Sequence, residues 1–401
     1  MHEFDKLSDT HKIILLTAGI QQKEEEVELV KELLRKNPDW SFIKDYTIMH
    51  GTAPLMYNYF KKHDLETYIP PTLYKNLKGN YMQTYAIHAI ALDTLKEVFE
   101  VFHKNEIPTI LLKGVEAATF IYNDPGLRPM GDVDIVVPPE KLLVAEALLF
   151  EMGFVYARPY KSKRLRTLNI HNHLDPFIKN GVKIELHRDL SSIHHVHRMP
   201  LNYVWKNVKE VDFYNTKVYL ILNDAYLHYL CLHALIHFSN NIVRLNSFVD
   251  ISEFIKKHEK SFNWSDIAQK SMLFKTTEPL YKALYIMHHY FRAPVPGSIL
   301  EEIYEQGYER KIDESFLALL NNKPTDIAYS KPTSYLKKIR KIKGFHNKIL
   351  YLWVELFPSR EYMAYKYNLK SKNHVYPYYV YQFFFQLMRT VSNFLGIKSP
   401  K

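Results

Sequence analysis

Three acidic residues lie on segments whose sequence predicts β-strands. Asp132 and Asp134 belong to the run GDVDIVV, and Glu185 belongs to the run VKIELH. Because residues i and i+2 of a strand point to the same face, Asp132 and Asp134 present two carboxylates side by side. Two adjacent carboxylates repel each other, and a divalent cation relieves that repulsion. The pattern therefore predicts a site for Mg²⁺ or Mn²⁺ with Asp132 and Asp134 as ligands.

Glu185 extends this acidic pattern. In VKIELH, strand alternation places Lys183, Glu185 and His187 on one face and three apolar residues on the other. If this strand neighbours the aspartate strand, Glu185 becomes the third carboxylate of a cluster suited to one or two metal ions. Such a cluster supports in-line displacement at phosphorus, with Glu185 as a metal ligand or as a base toward an acceptor hydroxyl. The alternative is an aspartate pair at a loop end and a solvated Glu185.

The apolar spacing around these strands predicts a helix-rich α+β protein. Residues 1–105 show three- and four-residue apolar spacing, so we expect an N-terminal helical lobe. Residues 106–222 combine short apolar runs, turn residues and a helical segment, which predicts a small mixed-sheet core. Helical spacing returns over residues 223–401, so we expect a C-terminal helical lobe.

Composition excludes several classes of protein. The chain has 12 Gly among 401 residues and contains neither a dinucleotide-binding glycine fingerprint nor a P-loop. The lone Cys231 excludes an intramolecular disulfide and a Cys-rich zinc site. The first residues lack the basic segment of a signal peptide, and polar residues interrupt the apolar stretch 376–397. We expect a cytoplasmic protein without a transmembrane segment.

The run LLKGVEAATFIYNDPGLRPMGDVDIVV, followed later by VKIELHRDL, resembles the family of uncharacterised bacterial nucleotidyltransferases within the DNA polymerase beta-like superfamily. The matching positions are Gly114, Asp132, Asp134 and Glu185. The resemblance implies transfer of a nucleoside monophosphate from an NTP, with ATP as one candidate, to a hydroxyl acceptor and release of pyrophosphate. The acceptor stays open among small molecules, glycans, peptides and proteins. The other interpretation is a non-catalytic nucleotide-binding or scaffolding protein that retains the fold.

The turn after the first predicted strand departs from the superfamily pattern. It reads Lys113 and Gly114, where superfamily enzymes have Gly-Ser or Gly-Gly. The hydroxyl that often contacts the triphosphate is therefore absent. We expect Lys113 and Arg128 to hold phosphate oxygens in its place, Arg128 in a bidentate manner. Each of the two could equally be a surface residue.

Histidines and one buried aspartate form a second group of candidates. We expect His187 to contact the substrate or a metal ligand, since its spacing does not indicate a zinc site. Asp250 interrupts the apolar run FVDISEFI, where an unpaired carboxylate is costly. We predict a buried network of His233, His237, Arg244 and Asp250 that supports the core. Contact with the acceptor substrate is the alternative role.

The formal net charge of +10 favours anionic partners such as an NTP. A basic run at Lys337 to Lys348 is either a solvated helix face or an anion-binding segment. The aromatic run from Tyr376 to Phe385 resembles a stacking surface for nucleic acid, and a packed terminal helix explains it as well. An interfacial or docking helix stays open for the same stretch. We do not expect nucleic acid to be a partner.

Overall fold

The computed structural model describes residues 3–157, 171–238, 244–304, 309–321, 339–369 and 371–395. These residues form a helix-rich α+β structure with a seven-stranded mixed sheet, which confirms the predicted fold class. The chain divides into two compact units, each built from separated segments. The first unit comprises Met1–Glu97, Ile110–Gly131 and Met199–Ser330, and the second comprises Val98–Thr109, Asp132–Arg198 and Lys331–Lys401. Domain boundaries near residues 105 and 222 stay a prediction.

The helices before the sheet follow the predicted apolar spacing and begin and end at suitable residues. Asp39 caps one of them by accepting a hydrogen bond from the Phe42 amide, and the same helix ends at Gly51 in the left-handed conformation. Pro71 opens the longest helix, where its missing N–H leaves no hydrogen bond unmade. These helices are α1 (Asp9–Leu16), α2 (Glu24–Leu34), α3 (Trp40–His50), α4 (Ala53–Lys62) and α5 (Pro71–Lys104).

The strands and the remaining helices follow in chain order. The strands are β1 (Ile110–Leu112), β2 (Val133–Val136), β3 (Val155–Tyr156), β4 (Phe177–Lys179), β5 (Val182–His187), β6 (Val208–Phe213) and β7 (Thr216–Ile221). The helices are α6 (Lys113–Glu116), α7 (Leu142–Glu151), α8 (Leu201–Lys206), α9 (Asn223–Phe238), α10 (Leu245–His258), α11 (Trp264–Phe274), α12 (Thr277–His289), α13 (Gly297–Glu302), α14 (Glu309–Asn321), α15 (Phe345–Leu356), α16 (Arg360–Lys366) and α17 (Tyr376–Leu395). Among the described helices, none has the length and hydropathy needed to cross a bilayer.

In the first unit, β1 pairs in parallel with β7, and β7 pairs in antiparallel fashion with β6. The turn between β6 and β7 consists of Tyr214 and Asn215, with φ of 48° and 71°. Positive φ at both positions is the geometry of a two-residue hairpin whose twist matches the strands. Helix α9 packs against α10, α11 and α12 to form the helical core of this unit.

In the second unit, the strand order is β3, β4, β5, β2. The first two pairs are antiparallel, whereas β5 and β2 are parallel. Asn180 and Gly181 make the tight turn between β4 and β5, with φ of 51° and 79°. Asn-Gly is the dipeptide that such a turn favours, so this hairpin has a clear local origin. The hairpin and the parallel pair together place β5 in the interior of this part of the sheet.

Candidate active site

The parallel pair β2 and β5 brings three of the predicted residues together. The register sets Asp134 opposite Glu185, and His187 follows on the same face of β5. The Nε2 atom of His187 lies 2.7 Å from Oδ1 of Asp134. One ligand atom each from Asp134, Glu185 and His187 lies within 4.8 Å of the other two. These three residues could therefore hold one cation.

The opposite face of the same strands explains why this register is stable. Val133 and Ile135 of β2 and Ile184 and Leu186 of β5 are all buried. Since side chains alternate along a strand, a shift by one residue would move these apolar side chains to the face that carries Asp134 and Glu185. Burial of the apolar face therefore selects the register that sets Asp134 opposite Glu185.

Lys183 lies between two of the carboxylates. Its Nζ atom is 3.0 Å from Oδ2 of Asp132 and 3.1 Å from Oε1 of Glu185. Partial burial opposes its charge, but the hydrogen bonds and charges of Asp132 and Glu185 outweigh burial and raise the pKa of Lys183. Among the described residues, the group that could hold a metal ion thus consists of Asp134, Glu185 and His187. Asp132 instead pairs with Lys183. Sequence reasoning assigned no role to Lys183, although strand alternation already places it on the acidic face.

Asn172 orients the imidazole of His187. Its Nδ2 atom is 3.2 Å from Nδ1 of His187, and its Oδ1 atom accepts a hydrogen bond of 2.8 Å from Ser192 Oγ. With the amide as donor, neutral His187 carries its proton on Nε2 and donates it to Asp134. Neither Asn172 nor Ser192 was singled out from the sequence, because nothing in their local pattern indicates this contact.

The Lys113-Gly114 turn follows directly after β1. Lys113 has φ of 49°, in the left-handed region that glycine adopts more readily than other residues. Gly114 is constrained differently, since a Cβ atom there would lie 3.0 Å from Cβ of Met130. The left-handed backbone is therefore at Lys113 and not at Gly114. A lysine at that position carries backbone strain.

Arg128 and Asp250 form a buried ion pair in the first unit. The Nε and Nη2 atoms of Arg128 donate to Oδ2 of Asp250 at 2.9 and 2.7 Å, and Tyr122 Oη donates to Oδ1 at 2.9 Å. Burial opposes the charge of Arg128, but Asp250 outweighs burial and raises the pKa of the guanidinium. The cost of burying Asp250 is thus offset by Arg128 and Tyr122. Phosphate binding by Arg128 stays a prediction.

The involvement of His233, His237 and Arg244 in the Asp250 network stays a prediction. His233 is half-buried on α9, and its ring centroid is 6.0 Å from that of Tyr229. The side chain of His237 lies outside the described residues. Arg244 is exposed and directly precedes α10. Burial, and secondarily the charge of Arg244, lowers the pKa of His50 to about 4.

Carboxylates on adjacent parallel strands of an α+β core form a group that could hold a cation. Residues 36–292 match the model of a family described as uncharacterised nucleotidyltransferase. Since the match spans more than half of the chain, the protein belongs to this nucleotidyltransferase family. A search of curated proteins and a search of solved structures each found no match.

Proposed function

We propose that the protein is a metal-dependent nucleotidyltransferase that transfers a nucleoside monophosphate from an NTP to a hydroxyl acceptor and releases pyrophosphate. The observation that carries the proposal is the parallel pairing of β2 and β5, which gathers Asp134, Glu185 and His187. Membership of the family supports nucleotidyl transfer. The metal dependence, the NTP and the hydroxyl acceptor are parts of the proposal.

The available donor atoms fit a divalent cation. Carboxylate oxygens are the ligands that Mg²⁺ prefers, whereas Mn²⁺ also accepts an imidazole nitrogen. We propose Asp132, Asp134 and Glu185 as ligands for one or two ions, with His187 as a further ligand or as the hydrogen-bond partner of Asp134. When bound, the ion would neutralise phosphate charge and polarise the phosphorus that is attacked.

The residues of the chain would hold the carboxylates in place and accept a proton. Lys183 holds Asp132 and Glu185 through ion pairs, and His187 holds Asp134, so these side chains are oriented before substrate binds. The alternative role of Glu185 is that of the base. It takes the proton of the acceptor hydroxyl while the acceptor oxygen bonds to the α-phosphorus and the bond from that phosphorus to pyrophosphate breaks.

We propose Lys113, Gly114 and Arg128 as nucleotide-binding residues, as the resemblance implies. Gly114 packs closely against Met130, and Lys113 supplies a cationic side chain at the same turn. Arg128 would fix the loop that follows through its ion pair with Asp250, and any phosphate contact would have to share its donors with that pair. The other first-unit candidates keep the proposed roles of core support or acceptor contact: His233, His237 and Arg244.

The experiment compares Asp134→Asn with the wild type in two assays. The first measures pyrophosphate release from each of the four common NTPs with Mg²⁺ or Mn²⁺. The second measures Mn²⁺ binding to the nucleotide-free protein by calorimetry. We expect Asp134→Asn to lower both by roughly a hundredfold or more, since a ligand and its charge are removed. Asp212→Asn is the matched control, because Asp212 is an exposed carboxylate that pairs with Lys217 on the β6–β7 hairpin.

Two outcomes would contradict the proposal. The first is wild-type pyrophosphate release in both Asp132→Asn and Asp134→Asn. The second is an NTP that raises the melting temperature without any pyrophosphate release under all conditions tested. A ligand that binds only the native state stabilises it by RT ln(1 + [L]/Kd), so this second result would identify a nucleotide-binding protein without catalysis.

A further inference from the structure

The net positive charge of the chain is concentrated at its C-terminal end. Residues 331–401 contain 14 Lys and Arg and two acidic residues, Glu355 and Glu361, which gives a net charge of +12. The whole chain carries +10, so the other 330 residues carry −2. Lys341 and Lys343, just before α15, and Arg360, at the start of α16, are exposed. Attraction to an anionic partner is therefore a property of this segment.

Helix α17 presents an apolar face to solvent. The sequence from Tyr376 to Met388 contains no charged residue. On a helix with 100° per residue, the exposed apolar side chains among those that the structure describes on α17 fall within one arc of roughly 160°. Solvent-facing helix surfaces are normally polar, so an exposed apolar arc of this width indicates an interaction surface. Five side chains of this arc are more than half exposed: Tyr376, Val380, Tyr381, Phe384 and Met388.

The inner face of α17 is held by specific contacts. Gln382 is buried and accepts a hydrogen bond of 2.9 Å from Tyr367 Oη. Tyr379 Oη donates to the carbonyl of Pro358 at 2.6 Å. The helix thus has a packed side and an exposed side, and its aromatic residues divide between the two. Because these contacts fix the inner face of α17, the arc of apolar side chains on the opposite face points to solvent.

Helix α15 repeats the arrangement. Tyr351 is buried in a cluster with Ile342, and Ile193 packs against that cluster. Four apolar side chains with helical spacing i, i+4, i+7 and i+8 are exposed on α15: Phe345, Ile349, Leu352 and Trp353. Helices α15 and α17 also contact each other. Two neighbouring helices therefore each expose an apolar stripe within the most basic part of the chain.

We propose that α15 and α17 form a docking surface for an anionic lipid bilayer, on which the protein lies without crossing it. Aromatic and aliphatic side chains flanked by Lys and Arg are the composition of helices that lie in a membrane interface. The charge of +12 is complementary to anionic headgroups. Exposed rings such as Tyr381 and Trp353 could also stack on bases, but the aliphatic side chains between them, Val380, Met388, Ile349 and Leu352, favour insertion among lipid chains over stacking. The surface is independent of the proposed transferase chemistry.

Co-sedimentation of the full chain with large vesicles tests this inference. One set of vesicles contains phosphatidylcholine alone, and the other contains roughly one phosphatidylglycerol in three lipids. We expect binding to the anionic vesicles to be at least about tenfold tighter, and to weaken when salt is raised from about 0.1 M to about 0.5 M. Val380→Ser combined with Phe384→Ser should weaken binding by about tenfold or more, because both side chains leave the apolar arc.

The matched control is Met272→Ser combined with Leu273→Ser, two exposed apolar residues on α11. This control should bind anionic vesicles as the wild type does. Far-ultraviolet circular dichroism should be unchanged in both double variants, since all four side chains are exposed. Absent vesicle binding, equal binding to both kinds of vesicle, or unchanged binding by Val380→Ser with Phe384→Ser would each overturn the inference. Without vesicle binding, an oligonucleotide complex or a dimer that the same double variant disrupts would identify the occupant as nucleic acid or a second copy.

Discussion

Replacing Lys183 with Met should tighten Mn²⁺ binding and destabilise the protein when no divalent cation is present. Met keeps the length of the side chain and removes its charge. The Lys183 ammonium lies 3.0 Å from Asp132 and 3.1 Å from Glu185, so it neutralises the repulsion between these carboxylates. Without it, the carboxylates depend on another cation for that neutralisation.

The magnitudes follow from exposure and distance. The Lys183 side chain is 33% exposed, so solvent screening limits each of its two contacts to roughly 1 kcal/mol or less. The loss of stability without metal should therefore be about 1–2 kcal/mol. A +1 and a +2 charge about 5 Å apart repel by roughly 1.7 kcal/mol with water-like screening. Removing the lysine charge should accordingly strengthen Mn²⁺ binding by about tenfold.

Calorimetric titration with Mn²⁺ measures the affinity, and urea unfolding in EDTA measures the stability. Lys217→Met is the control, because Lys217 makes a similar contact of 2.7 Å with Asp212 on an exposed hairpin. It should change neither quantity. If Lys183→Met keeps both the wild-type Mn²⁺ affinity and the wild-type unfolding midpoint, the role assigned to Lys183 is wrong.

The remaining predictions concern the first unit and the backbone near the site. Asp250→Asn should lower the unfolding free energy by about 3–5 kcal/mol, because it leaves the buried Arg128 guanidinium without its counter-charge. Urea unfolding measures this loss, and the control Asp212→Asn, at an exposed carboxylate, should change the unfolding free energy little. Gly114→Ala should lower the unfolding free energy by about 1–2 kcal/mol, since the new Cβ would crowd Met130. Gly131→Ala is the control, because a Cβ there meets open space. Equal unfolding midpoints for the two variants would contradict this reasoning. Acidification should destabilise the fold, because burial lowers the pKa of three histidines to about 4 from 6.5. Between pH 6.5 and pH 4 the unfolded chain binds more protons than the folded chain. As the pH falls through this range, stability should therefore drop by roughly 1.4 kcal/mol per pH unit for each histidine that titrates. A urea unfolding midpoint that is higher at pH 5 than at pH 7 would exclude this effect. The three histidines are His50, His88 and His228.

Local sequence rules predicted the fold class well. Helical spacing of apolar residues, proline positions and two-residue turns act within a few residues, so they are readable in the chain itself. The turn of Tyr214 and Asn215 is an example, since two adjacent residues with positive φ join the antiparallel strands β6 and β7. The discontinuous compact units were not readable in this way, because they join segments far apart in sequence.

The partner of Asp250 shows the same limit for single residues. Its position in an apolar run predicted that some group must compensate the charge. The nearest basic candidate in sequence was Arg244, but the structure supplies Arg128, which is 122 residues away. An ion pair requires proximity in space, and a local pattern contains no information on which distant segment provides it.

The sequence by itself determined which face of each strand carries the acidic residues, because side-chain alternation follows from covalent geometry. It also indicated the chemistry proposed there, since adjacent carboxylates favour a cation. Only the tertiary structure decided the pairing of β2 with β5, the register of Asp134 opposite Glu185, and the place of Lys183 between two carboxylates. Strand pairing is a contact between segments about fifty residues apart, and burial of the apolar face selects it when the whole sheet forms.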